Sequence, residues 1–73
     1  MTPEAKNILA ILSAEHWKGT RQICEEGGFV YRDHSANHSL VYRPLRELMS
    51  LGMVEKRAGG IEGHPHYTEY RKK

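Results

Sequence analysis

The sequence predicts an α+β domain, mainly α, in which three helices are followed by a C-terminal two-stranded β-hairpin, the whole forming one unit over residues 1–73. Three observations carry this. Apolar residues recur at helical spacing in two places, Ala5, Ile8, Leu9 and Leu12, and again Val41, Leu45 and Leu48. A glycine, Gly52, follows the second run at the position where helices end. Beyond it, two short alternating runs flank the glycine-rich stretch Ala58 to Pro65, the pattern of a hairpin.

Each element has its own justification. Thr2, Pro3 and Glu4 supply a hydroxyl cap, a proline suited to the first helical position and an acid at the positive end of the dipole. Helix 1 is therefore expected over about 3–15, with Ile11 widening its apolar stripe. His16 to Gly19 breaks the period, and Trp17, the single tryptophan, is expected to plug the core from this connector. Thr20 offers an N-cap to a short helix 2, about 20–26, with Ile23 and Cys24 inward and Gly27-Gly28 as its stop.

Phe29 to Ser39 is the least periodic stretch. Phe29-Val30-Tyr31 is apolar enough to pack or to form a brief strand, and Asp33, Ser35, Asn37 and Ser39 are all candidate caps for the third helix. That helix is expected over about 39–51. Pro44 cannot donate to the Leu40 carbonyl, so a start near Ser39, or a kinked helix, is expected over a straight helix from Ser35. The hairpin is expected over about 53–71, with Val54, Tyr67 and Tyr70 returning to the core.

Composition narrows the function. Hydrophobic residues are 38% and charged residues 27%, a globular balance. Neither a span of about eighteen apolar residues nor a charged-then-apolar leader is present, so no membrane partner is expected. One cysteine without a disulfide framework fits a reducing, cytoplasmic setting. The net charge is +2, but it divides unevenly. Residues 1–28 carry three Lys/Arg against four Glu, a net of −1, and residues 29–73 carry eight against five acids, a net of +3. The cationic excess lies in the third helix, the hairpin and the Arg71-Lys72-Lys73 tail.

The run Val41-Tyr42-Arg43-Pro44-Leu45-Arg46-Glu47-Leu48-Met49-Ser50-Leu51-Gly52-Met53-Val54-Glu55-Lys56-Arg57, with His66-Tyr67-Thr68-Glu69-Tyr70 as a returning strand, resembles the winged helix-turn-helix superfamily of bacterial, archaeal and phage regulators. The resemblance implies a recognition helix in the third helix, a wing in the hairpin, and a connector at Trp17 able to run extended against that hairpin. It implies a transcriptional regulator that binds double-stranded DNA through the major groove, with the wing on adjacent backbone or minor groove. The eleven residues from Phe29 to Ser39 and the proline within the helix distinguish this chain.

On this scaffold the candidate DNA contacts can be named. Tyr42, Arg43 and Arg46 point away from the core, with Asn37, His38 and Ser39 at the helix entrance. Arginine suits guanine edges or phosphate, and Asn37 suits adenine. The plain alternative for Arg43 and Arg46 is a solvated face partly neutralised by Glu47. Lys56, Arg57 and His64 belong to the wing, and Thr20 and Arg21 open helix 2, where backbone N–H groups suit a phosphate.

Other chemistries are weaker. His34 and His38 are spaced as ligands on one helical turn would be, and His64-Pro65-His66 is compact, yet no Cys pair or His-Glu-x-x-His string accompanies them, so neither a metal nor another cofactor is expected. No nucleophile, base and orienting group are recognisable together, so no enzyme is expected. A homodimer on a two-fold site is one assembly consistent with so small a DNA-binding unit. The competing function is a protein-interaction module, an adaptor or a mobile-element factor that binds a host protein, with Phe29, Val30, Tyr31 and Tyr42 as its contact patch.

Overall fold

A hydroxyl, a proline and an acid in succession start the first helix as their chemistry dictates. In the computed structural model, which describes residues 1–58 and 68–73, α1 spans Pro3–Ile11. The Thr2 Oγ accepts from the Ala5 N–H at 3.2 Å, Pro3 occupies the first turn and Glu4 lies at the dipole's positive end.

α1 stops at Ile11, short of the expected end near residue 15, because the chain is needed elsewhere. Leu12 turns extended and is buried, and the Ser13 carbonyl accepts from the Lys72 N–H at 2.9 Å. Ser13 Oγ then accepts from the Glu15 and His16 N–H groups at 3.0 and 3.3 Å, closing a tight turn. Lys18 Nζ returns to the Ile11 carbonyl at 2.6 Å, placing a cation at the negative end of the helix. The same ammonium pairs with Glu26 at 2.6 Å, and that bond holds the Glu26 carboxyl below its usual range.

The connector adds a strand to the sheet. β1, Lys18–Gly19, pairs antiparallel with β3, Thr68–Lys72, which also pairs antiparallel with β2, Val54–Ala58. The order is β1-β3-β2, so among the described residues the sheet has three strands where two were expected. The two residues of β1 pair with Glu69 and Tyr70, so part of the second edge of β3 no longer exposes unpaired backbone groups.

α2 spans Thr20–Gly27. Gly19, and not Thr20, is its cap, without a side-chain bond, because β1 runs directly into the helix and makes Thr20 its first helical residue. Ile23 and Cys24 are fully buried. Gly27 is needed for contact: a Cβ there would sit 2.6 Å from the Phe29 ring, which is itself buried.

After Phe29 the chain forms a small bridged loop. Val30 pairs with Ala36, and the Asn37 N–H reaches the Phe29 carbonyl at 2.9 Å. At the tip, Asp33 Oδ1 accepts from the Ser35 N–H at 3.0 Å and Oγ at 2.6 Å, which lowers the Asp33 pKa. α3, Ser39–Ser50, then starts at His38 with no side-chain cap, so none of the four candidate caps acts as one. Its first bonds run from the Leu40 and Val41 N–H groups to the Asn37 and His38 carbonyls at 3.2 Å, a 3₁₀-type opening. The start at Ser39 places Pro44 shortly after this opening, on the buried face with Val41, Leu45 and Leu48.

α3 ends in a Schellman motif: the Gly52 N–H bonds the Met49 carbonyl and the Met53 N–H bonds the Leu48 carbonyl, both at 3.0 Å. Gly52 has φ +72°, a left-handed conformation that costs a residue with a side chain about 1–2 kcal/mol. The core gathers Ala5, Ile8, Leu12, Ile23, Cys24, Phe29, Val41, Leu45, Leu48, Val54 and Tyr70. Tyr67, also expected there, lies outside the described residues. Trp17 is not a core plug; it is half-buried on the sheet's outer face. No helix among the described residues is long and apolar enough to cross a membrane.

Candidate nucleic-acid interface

Each residue of an α-helix advances by ~100°, and the buried positions Val41, Pro44, Leu45 and Leu48 define one side of α3. Ser39, Arg43, Arg46 and Ser50 fall opposite and are exposed, with Tyr42 at one flank, half its surface open, and Leu40 at the other. Neither Arg43 nor Arg46 forms an ion pair among the described residues. Glu47, adjacent in sequence, is occupied at the start of α1. Its Oε2 accepts from Thr2 Oγ at 2.9 Å and its Oε1 from the Thr2 N–H at 3.1 Å, and the Thr2 hydroxyl holds its carboxyl below the usual range.

Lys56 alternates with the outer-face residues of β2 and shares the strand face that carries the buried Val54. Tyr70 is its partner in register and is buried; burial, and then the neighbouring Tyr42, push the Tyr70 phenol up. Lys56 is exposed without an ion pair among the described residues.

Arg57 is elsewhere. Strand alternation sends it to the outer face of the sheet, where its Nε donates to Glu69 at 3.0 Å and its guanidinium carbon lies 4.4 Å from the centroid of the Trp17 ring. Arg71 repeats the arrangement: it pairs with Glu55 and lies 4.4 Å from the same ring. Sequence reasoning misses Trp17 and Arg71 as partners of this kind. The signal for them is the opposed charges of Glu55/Arg57 and Glu69/Arg71, which become facing pairs once the strands are aligned.

The helix entrance is partly committed. Asn37 Oδ1 accepts from Ser39 Oγ at 2.6 Å, which uses one of the two groups a bidentate adenine contact requires. Asn37 and His38 are half-buried. Thr20 is half-buried at the start of α2, and Arg21 is exposed but paired with Glu25 at 3.1 Å, one helical turn on. His64 lies outside the described residues. Arg32, in the bridged loop, is an exposed cation that sequence reasoning passes over, and it too has no ion pair among the described residues.

The expected protein-contact patch is broken up: Phe29 is in the core, Val30 is half-buried, and only Tyr31 and Tyr42 are largely open. His34, in the loop with φ +66°, and His38, at the start of α3, do not share a helical turn. Among the described residues no three His, Cys, Asp or Glu side chains gather as a metal would require. Cys24 is buried, and burial pushes its thiol up, the environment of an inert packing residue.

No protein-family model, curated protein or solved structure matches the chain.

Proposed function

We propose that this chain is a small winged-helix protein that binds double-stranded DNA and acts as a transcriptional regulator. α3 serves as the recognition helix, and β2 and β3 form the sides of the wing. The observation that carries the reading is the pair Arg43 and Arg46, exposed on the side of α3 opposite the core and without an acidic partner among the described residues. In this reading Lys56, exposed on β2 without an ion pair among the described residues, adds a further cation from the sheet. Unpaired guanidinium groups on a convex helix suit base edges and phosphates in a major groove. In this reading Ser39 and Tyr42 contribute hydrogen-bonding groups from the same surface.

The test is fluorescence anisotropy with duplex DNA of mixed sequence, titrated at several salt concentrations. Binding that weakens linearly in log–log form as salt rises supports the reading, since phosphate contacts release counterions. Absence of binding at low salt, or binding indifferent to salt, refutes it. A protein-interaction role draws support from Leu40 and Tyr42, each about half open on the flanks of α3. Partners captured from lysate that survive nuclease treatment, with no DNA binding, favour that role instead.

A further inference from the structure

We propose that Trp17, Arg57 and Arg71 form a clasp that positions the β2–β3 pair against the helices, so that Arg57 and Arg71 act on DNA binding through geometry and Lys56 is the cation of β2 that contacts DNA. The inference rests on the DNA reading and assigns roles within it.

The register explains the clasp. Arg57 faces Glu69 and Glu55 faces Arg71 across β2 and β3, and these facing residues are the ion pairs observed. Lys18 faces Tyr70 on the other edge of β3, which brings Trp17, one residue earlier, beside Arg71. From there the indole also meets Arg57, on a strand that does not pair with β1 at all. The ring therefore ties the two edge strands together across the middle one. Both guanidinium carbons lie at 4.4 Å, inside the ~6 Å over which the ring's negative face attracts a cation.

The elements that the clasp joins give it consequence. β1 leads straight into α2, and β2 follows directly from the Gly52 turn that ends α3. Backbone bonds hold each strand to β3, but a three-stranded sheet of so few residues remains free to twist. A ring bridging β1 to β2 restricts that twist, and with it the distance between Lys56 and the outward side of α3. Arg57 and Arg71 already have a carboxylate and a π face each, so a phosphate would have to displace both.

The salt dependence of duplex binding separates a positioning residue from a contact. Arg43→Gln and Lys56→Gln are expected to reduce the log–log salt slope by ~0.9 each, one phosphate contact apiece. Arg57→Gln and Trp17→Leu are expected to weaken binding about fivefold to tenfold, the scale of one or two lost cation–π contacts, with the slope unchanged. Trp17→Phe, which retains an aromatic face, is expected to recover most of the affinity. All variants are compared at a temperature where circular dichroism shows them folded, so that lost stability does not enter. A slope reduced by Arg57→Gln as it is by Arg43→Gln overturns the proposal, and so does unchanged affinity in Arg57→Gln and Trp17→Leu. A second readout needs no DNA. The δ-methylene protons of Arg57 and Arg71 are expected upfield of ordinary arginine values by the ring current of Trp17, and at ordinary values in Trp17→Leu. Ordinary values in the unmodified chain refute the clasp, whereas wild-type protein that shows the shift but binds no DNA refutes the DNA reading and, with it, the assigned roles.

Discussion

The outward side of α3 and the outer face of the sheet each carry two arginines, yet they differ in what those arginines are free to do. On α3, Arg43 and Arg46 project into solvent while the nearby Glu47 bonds Thr2. On the sheet, Arg57 and Arg71 face Glu69 and Glu55 in register and lie against Trp17. The difference is one of periodicity. Helical rotation puts Glu47 on the flank that meets α1, one turn from Arg43, and there both of its carboxylate oxygens are taken by Thr2. Strand alternation places each acid directly across from a base. Counting cations in the sequence therefore overstates what is available to a polyanion, because half of these four are already engaged.

The comparison can be broken most completely by removing the packing beneath it. Leu45 is fully buried, and Leu45→Ala is expected to cost ~2–5 kcal/mol, comparable to the entire net stability of ~3–5 kcal/mol available to so short a chain. Urea denaturation should show the cooperative transition lost or moved to much lower denaturant; a cost below about 1 kcal/mol would mean that the core is not packed there as described. Trp17→Ala should destabilise by ~1–2 kcal/mol, through two cation–π contacts and the loss of half-buried aromatic surface. A thermal melt indistinguishable from wild type would show that the clasp contributes nothing.

Gly52 joins the two regions, since it ends α3 just before β2. Gly52→Ala should cost ~1–2 kcal/mol because of its positive φ, read from the shift in denaturation midpoint; a neutral result would place the turn in another conformation. Arg43→Ala with Arg46→Ala should stay within about 0.5 kcal/mol of wild type, in contrast with Trp17→Ala. A loss equal to that of Trp17→Ala would make the helix arginines structural.

The smallest effect is pH-dependent. The carboxyl of Glu47 is held below its usual range by Thr2, so it contributes stability above the unfolded carboxylate pKa, and that contribution is lost as pH falls through the lowered folded value. Glu47→Gln should accordingly show a shallower fall in melting temperature on acidification, with the gap to wild type closing at low pH. Parallel curves from neutral to acidic pH would remove Thr2 and Glu47 as a coupled pair.

Local chemistry made several elements legible in advance. Thr2-Pro3-Glu4 starts α1, the spacing of Val41, Leu45 and Leu48 sets the buried side of α3, and Gly52 ends it, because caps and periods depend on residues within a turn or two of each other. The candidate residues Tyr42, Arg43 and Arg46 were legible for the same reason: once the buried side is known, the exposed side is known too. The end of α1 was not, because Leu12 leaves the helix to let Ser13 meet Lys72, a partner some sixty residues away in sequence. Nor was the cap of α3, since each of Asp33, Ser35, Asn37 and Ser39 has the right side chain and the loop's own bonds claim several of them.

By itself, then, the sequence determined the number and order of the helices, most of the residues that make the core, and the cationic side of α3. Each follows from spacing along the chain and from the cost of burying the wrong group. Only the tertiary structure decided that Lys18 and Gly19 form a third strand, that Trp17 lies on the sheet and not in the core, and that Arg57 is engaged while Lys56 is open. These depend on strand register. A shift of one residue exchanges the two faces of a strand, and nothing within any single strand specifies which partner it will meet.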